Sequence, residues 1–132
     1  MNNLGSTSTP RGAQLIANLP NLQNLIKRDP AAYVEEFQIQ WNHYESVRQI
    51  FELGLASEGG VGKMKEVESN WRDLVGFIAQ VAPCYPKRAA QFPSHLSNLL
   101  LNSHTALAPD TRKTLVQSLV LLRNRSMMSD IE

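Results

Sequence analysis

A single cysteine, Cys84, is all the thiol chemistry this sequence holds. It cannot close an internal disulfide, so packing must supply the stability, and a lone thiol suits a reducing compartment. No apolar run approaches the roughly 20 residues that a membrane-spanning helix needs. The first twelve residues, rich in Asn, Ser, Thr and Gly, lack the apolar segment of a secretory signal. Charge of one sign is not in excess either. Thirteen Lys and Arg face twelve Asp and Glu, for a formal net charge of +1. That excludes a surface basic throughout and leaves room for a local basic patch. Strand-length alternation is missing. These absences predict a soluble, intracellular, helical protein.

What is present is an ordinary globular balance: 42% hydrophobic and 19% charged residues in 132. A single domain of this size buries roughly 65–70% of its unfolded surface. The densest punctuation lies between Leu19 and Phe37, LPNLQNLIKRDPAAYVEEF. Pro20 suits the first turn of a short helix, where its missing N–H costs nothing, and Leu22, Leu25 and Ile26 repeat at helical spacing behind it. Asp29 and Pro30 then open a second helix, with the Asp29 carboxylate expected to cap free N–H groups. Val34, Phe37, Trp41, Tyr44, Val47 and Phe51 follow at steps of three and four, with Glu35, Glu36, Gln40, Glu45 and Arg48 mostly off that stripe. Gly54 is placed to stop it, and 56–62 reads as a flexible loop.

A third helix is expected from about Lys63 to Val81, with Met64, Val67, Trp71, Leu74, Val75 and Ile78 inward, broken by Pro83 and Pro86. Pro86 opens a short turn through Phe92. Pro93 starts a fourth helix with Leu96, Leu99 and Leu100 inward. Pro109 starts a fifth with Leu115, Leu119 and Leu122 on one face, ending near Arg125. The organisation predicted is a disordered tail over 1–18, a helical domain over 19–125 and a frayed tail over 126–132. The fold class is all-α: antiparallel helix pairs forming the start of a HEAT- or armadillo-like α-solenoid, with a compact bundle as the competing architecture.

Catalytic signals are weak. Gly59-Gly60-Val61-Gly62-Lys63 has the look of a phosphate-binding loop, but Ser57 stands where glycine is required, Met64 where Ser or Thr is required, and no strand precedes it. A linker explains it. His43, His95 and His104 share no ligand spacing with Cys84 or with one another. Cys84, between Pro83 and Tyr85, reads as a buried structural thiol. Glu35 and Glu36 are adjacent, so on a helix they diverge by about 100° and cannot act as a carboxylate pair. The sequence therefore predicts no catalytic residues, no metal, no cofactor and no small-molecule substrate.

Four basic pairs remain. Lys27-Arg28 and Arg123/Arg125 fall at helix C-termini, where the helix dipole favours cations and explains them locally. Lys87-Arg88 and Arg112-Lys113 follow Pro86 and Pro109, near expected helix starts, where the dipole disfavours cations and spare N–H groups suit an anion. Lys87, Arg88, Arg112 and Lys113 are therefore the candidate contacts to RNA backbone or an acidic partner, expected to share one rim.

Several blocks together point to a family. LPNLQNLIKRDP is followed by Tyr33, Glu35-Glu36-Phe37, His43-Tyr44 and Ile50-Phe51. Leu74-Val75, Phe77, Ala79-Gln80, Cys84-Tyr85-Pro86 and Phe92-Pro93 come next, with Leu96, Leu99 and Leu100. His104, Leu107, Pro109, Arg112 and Leu121-Leu122-Arg123-Asn124 close the series. In this order, over about 19–125, they resemble the N-terminal region of the SDA ("severe depolymerisation of actin") family. The resemblance implies a non-catalytic, solenoid-like scaffold of the nucleus and nucleolus. Its partners would be pre-large-subunit ribosomal particles, meaning ribosomal RNA and assembly factors, and its role their maturation and export. It also implies a considerably longer parent protein, whose next layer would cover Leu115, Val116, Leu119 or Leu122 if these do not pack inward. The family name carries a competing expectation, a regulator of actin cytoskeleton organisation. A small helical enzyme is a third, which nothing in the motifs favours.

Overall fold

The computed structural model describes residues 18–55, 61–103 and 105–125, the first four residues of the second stretch by their backbone alone. The 1–17 and 126–132 tails, the 56–60 part of the expected loop and His104 lie outside these residues. Among those described there are five α-helices and no strand: α1 (Leu19–Arg28), α2 (Val34–Leu55), α3 (Val61–Val81), α4 (Phe92–Ser103) and α5 (Pro109–Asn124).

α1 begins where Asn18 Oδ1 accepts the Asn21 N–H at 3.1 Å, with proline in the first turn, and it buries Leu22 and Ile26. It ends as the Asp29 N–H donates to the Leu25 carbonyl at 3.1 Å. The expected Asp29 side-chain cap is not made. A 3-10 turn, Pro30–Tyr33, intervenes before α2, and the Asp29 main-chain carbonyl takes the Ala32 N–H at 3.1 Å instead. The tight turn brings a backbone acceptor to the donor the side chain was expected to serve.

α2 buries Phe37, Tyr44, Val47 and Phe51, while Val34 and Trp41 are half-buried. Gln40, expected off the stripe, is 1% exposed and belongs to the buried face. The helix runs one residue past Gly54, to Leu55. α3 starts at Val61 rather than Lys63, so Val61 and Gly62 are helical and not loop. Trp71, Leu74, Val75 and Ile78 are buried as the periodicity predicts, and Phe77 and Ala79 join them.

Aromatic contacts fix how the helices run. Phe51 stacks on Trp71 at 5.0 Å and Phe37 lies 4.4 Å from Tyr85, so α2 and α3 are antiparallel. Trp41 meets Phe92 at 6.2 Å and Tyr44 meets His95 at 6.0 Å, so α4 runs alongside α2 in the same direction. The Ala108 N–H donates to Glu68 at 2.9 Å and Arg72 to the Thr111 hydroxyl at 3.2 Å. Farther along, Gly76, Ala79 and Gln80 lie against Thr114, Gln117 and Leu121, so α5 runs parallel to α3. The result is two stacked antiparallel pairs: α2 and α4 form one layer, α3 and α5 the other, and α1 packs on α3. This ordered stacking is the start of an α-solenoid.

The core sits where the layers meet. Trp71, Tyr44, Phe37, Phe51 and Phe92 are its largest fully buried side chains. Burying a large apolar side chain contributes about 1.5–3 kcal/mol. Two polar atoms inside it, Gln40 Oε1 and Trp71 Nε1, have no partner among the described residues. Each costs about 1–3 kcal/mol, which the surrounding aromatic burial outweighs.

Candidate contact surface

The structure separates the two basic pairs expected to share a rim. Lys87 and Arg88 are exposed on the 86–91 turn, and no helix starts there, since α4 begins only at Phe92. The Arg88 guanidinium donates to Gln38 Oε1 at 2.9 Å. Arg112 and Lys113 do lie in the first turns of α5. Arg112 is half-buried and turned back, its Nη1 donating to the Leu107 carbonyl at 2.7 Å, while Lys113 is exposed. Between the pairs, α4 carries the chain across the molecule, its 12 residues spanning about 18 Å. One pair is therefore at the Pro86 end of the helices and the other at the Pro109 end.

The Pro86 end gathers cations that looked locally explained. α1, α3 and α5 all point their C-termini there. The Lys27 ammonium donates to Gln80 Oε1 at 2.7 Å, on the last turn of α3. Gln80 in turn shares a surface depression with Leu121, just before Arg123 and Arg125. Lys27, Arg28, Lys87, Arg88, Arg123 and Arg125, all exposed, thus occupy one end of the molecule. Among the described residues, the carboxylates at that end are Asp29, Glu35 and Glu36, so cations dominate there. Tyr85 stitches this end together: its hydroxyl donates to the Pro30 carbonyl at 2.7 Å. At the Pro109 end, among the described side chains, Glu45, Glu52, Glu66, Glu68 and Asp110 offset Arg48, Lys65, Arg72, Arg112 and Lys113.

Sequence reasoning gave Lys27-Arg28 and Arg123/Arg125 to separate helix dipoles, each worth about 0.3–1 kcal/mol. Their coincidence was recoverable from helix parity. Helices that alternate up and down bring every second C-terminus to one end; those of α1 and α5 carry basic residues in or just after them, and Lys87 and Arg88 follow α3 on the 86–91 turn.

Among the described residues, no three or more His, Cys, Asp or Glu side chains assemble as a metal site. Cys84 is half-buried rather than buried. His95 Nδ1 lies 3.0 Å from the Tyr44 hydroxyl, and burial holds its imidazole below the ordinary histidine range. His43 is exposed.

Residues 77–132 match a family model described as SDA1, HEAT repeat. Its described part starts in the last turn of α3 and takes in α4 and α5, the second stacked pair. Over 123 residues, 93% of the chain, the sequence is 43% identical to Protein SDA1 homolog of Drosophila melanogaster. It is 46% identical over 116 residues, 88% of the chain, to the Xenopus tropicalis homolog. The chain belongs to the SDA1 family. A more distant member, Protein sda1 of Schizosaccharomyces pombe, is 40% identical over 119 residues, 90% of the chain. The chain spans only 15–16% of the length of these three relatives. Its two stacked pairs match a small part of these relatives, consistent with an N-terminal SDA1 region. Leu115 and Leu122 are buried and half-buried Leu119 packs against the same core, whereas Val116 and Val120 are exposed on α5.

Proposed function

We propose that this SDA1 chain is part of a non-catalytic helical scaffold of the nucleus and nucleolus. It binds pre-large-subunit ribosomal particles and supports their maturation and export. The observation that carries the contact mode is the cationic Pro86 end, with six exposed Lys and Arg on one end of a nearly neutral chain. Such a concentration binds phosphate backbone through charge and counterion release, without reading bases. Family membership and the HEAT-type stacking support the scaffold reading.

Of the residues first singled out, Lys87 and Arg88 belong to this surface. Arg112 and Lys113 form a separate contact at the other end, with Lys113 the free-reaching member. RNA and assembly factors of the particle are the partners. Gradient sedimentation of the tagged protein from nuclear extract tests the proposal. It is expected to travel with large-subunit precursors and to leave them as salt rises. A protein found wholly in the slow-sedimenting pool at low salt would overturn it.

A further inference from the structure

A groove of about 300 Å³ runs between α2 and α4, away from the cationic end and outside the core. Arg48 and Glu52 line it from α2, Asn98 and Asn102 from α4, with Leu55 and Leu99 supplying an apolar lining. Asn98 and Asn102 are exposed, and neither is engaged with any described residue. Four residues apart on a helix, they stand about 6 Å apart along its axis. Two residues of an extended chain advance about 6.6 Å. The two amides therefore match alternate peptide groups of a strand laid along α4. Each amide offers both a donor and an acceptor, which is what a peptide backbone requires from a sequence-tolerant binder.

The opposite wall selects charge. Arg48 is clamped between Glu45 and Glu52, with Nε and Nη1 each 2.9 Å from a carboxylate oxygen. Each carboxylate spends one oxygen on Arg48 and keeps the other. Two carboxylates around one guanidinium leave this edge net negative, and both are at least 31% exposed. The edge repels phosphate and attracts an ammonium or guanidinium.

We propose that the groove receives an extended peptide segment bearing Lys or Arg, its main chain held by Asn98 and Asn102 and its cationic side chain by Glu52, while Glu45, beyond the lining, neutralises Arg48. The inference does not rest on the RNA-contact reading, because it uses a different face and the opposite charge.

The test is a titration of the ¹⁵N-labelled chain followed by NMR, reading the side-chain amide signals of Asn98 and Asn102. The probes are a dodecapeptide of alternating Lys and Ser and its Glu/Ser counterpart. Saturable shifts at both asparagines are expected with the Lys peptide alone. Asn98→Ala with Asn102→Ala should weaken binding about tenfold, as the loss of two hydrogen bonds predicts. Both positions are exposed, so circular dichroism should report an unchanged fold. Glu45→Gln with Glu52→Gln should also weaken binding and flatten its salt dependence. No saturable shift at either asparagine, an equal response to the Glu peptide, or unchanged affinity in the Asn variant would each overturn the proposal.

Discussion

Asn18 and Asp29 bracket α1, and they separate what a residue's type suggests from what its geometry does. Asn18 caps through its side chain at 3.1 Å; Asp29 uses only its backbone. Asn18→Ala should therefore cost about 1 kcal/mol, whereas Asp29→Ala should stay within about 0.5 kcal/mol. Urea denaturation of the two variants checks the contrast, and equal losses would contradict it. Tyrosine ionisation gives a second residue-level prediction. Burial pushes the Tyr85 phenol up to about 12 and raises that of Tyr44 as well. An unfolded tyrosine ionises near pH 10 (about its ordinary value), so the folded state favours the neutral phenols. Their contribution is intact below that pH and is lost as pH rises toward 12 and beyond. His95 has the opposite window: its folded-state affinity for protons is lowered, so its contribution holds above about pH 6.5 and fades as acid protonates it. The melting temperature should be level between these limits and fall on both sides. Tyr85→Phe should blunt the alkaline fall while losing about 1 kcal/mol with the Pro30 bond.

At the scale of the helix, the apolar spacing was enough to place all five elements, because four carry a stripe at a proline-marked start and α3 carries one that ends just before Pro83. Phe37, Tyr44, Phe51, Trp71 and Leu96 are buried as their spacing demands. What spacing could not give was the width of a buried face. Gln40 is drawn in because α2 meets α3 as well as α4, so more than one stripe is covered. Nor could it see the 3-10 turn after Asp29, where local chemistry permits two continuations and tertiary contact between Tyr85 and Pro30 favours one. The contact surface was legible only in part. Lys87 and Arg88 stood out, but their partners did not, since dipole arguments treat one helix at a time. Trp71→Ala tests the packing at this scale. It removes the ring stacked on Phe51 and should cost about 3–5 kcal/mol by thermal or urea unfolding. A loss under 1 kcal/mol would mean the α2–α3 contact is not the centre of the core.

Over the whole molecule, parity of the helices does what composition cannot. A net charge of +1 is compatible with one strongly basic end because the chain crosses the molecule several times and deposits cations on alternate passes. The most direct measurement of that polarity is the salt dependence of binding to single-stranded RNA. Each neutralised phosphate contributes about −0.7 to the slope of log K against log salt. Three proteins suffice: the unaltered chain, one with Lys27, Arg28, Lys87 and Arg88 each changed to Glu, and one with Arg112→Glu and Lys113→Glu. A slope of roughly −3 to −4 is expected for the unaltered chain. Binding should be almost completely lost in the Pro86-end variant, and the Pro109-end variant should keep a slope within about one unit of the original. Equal losses from the two ends, or RNA binding untouched by the Pro86-end reversal, would contradict that polarity.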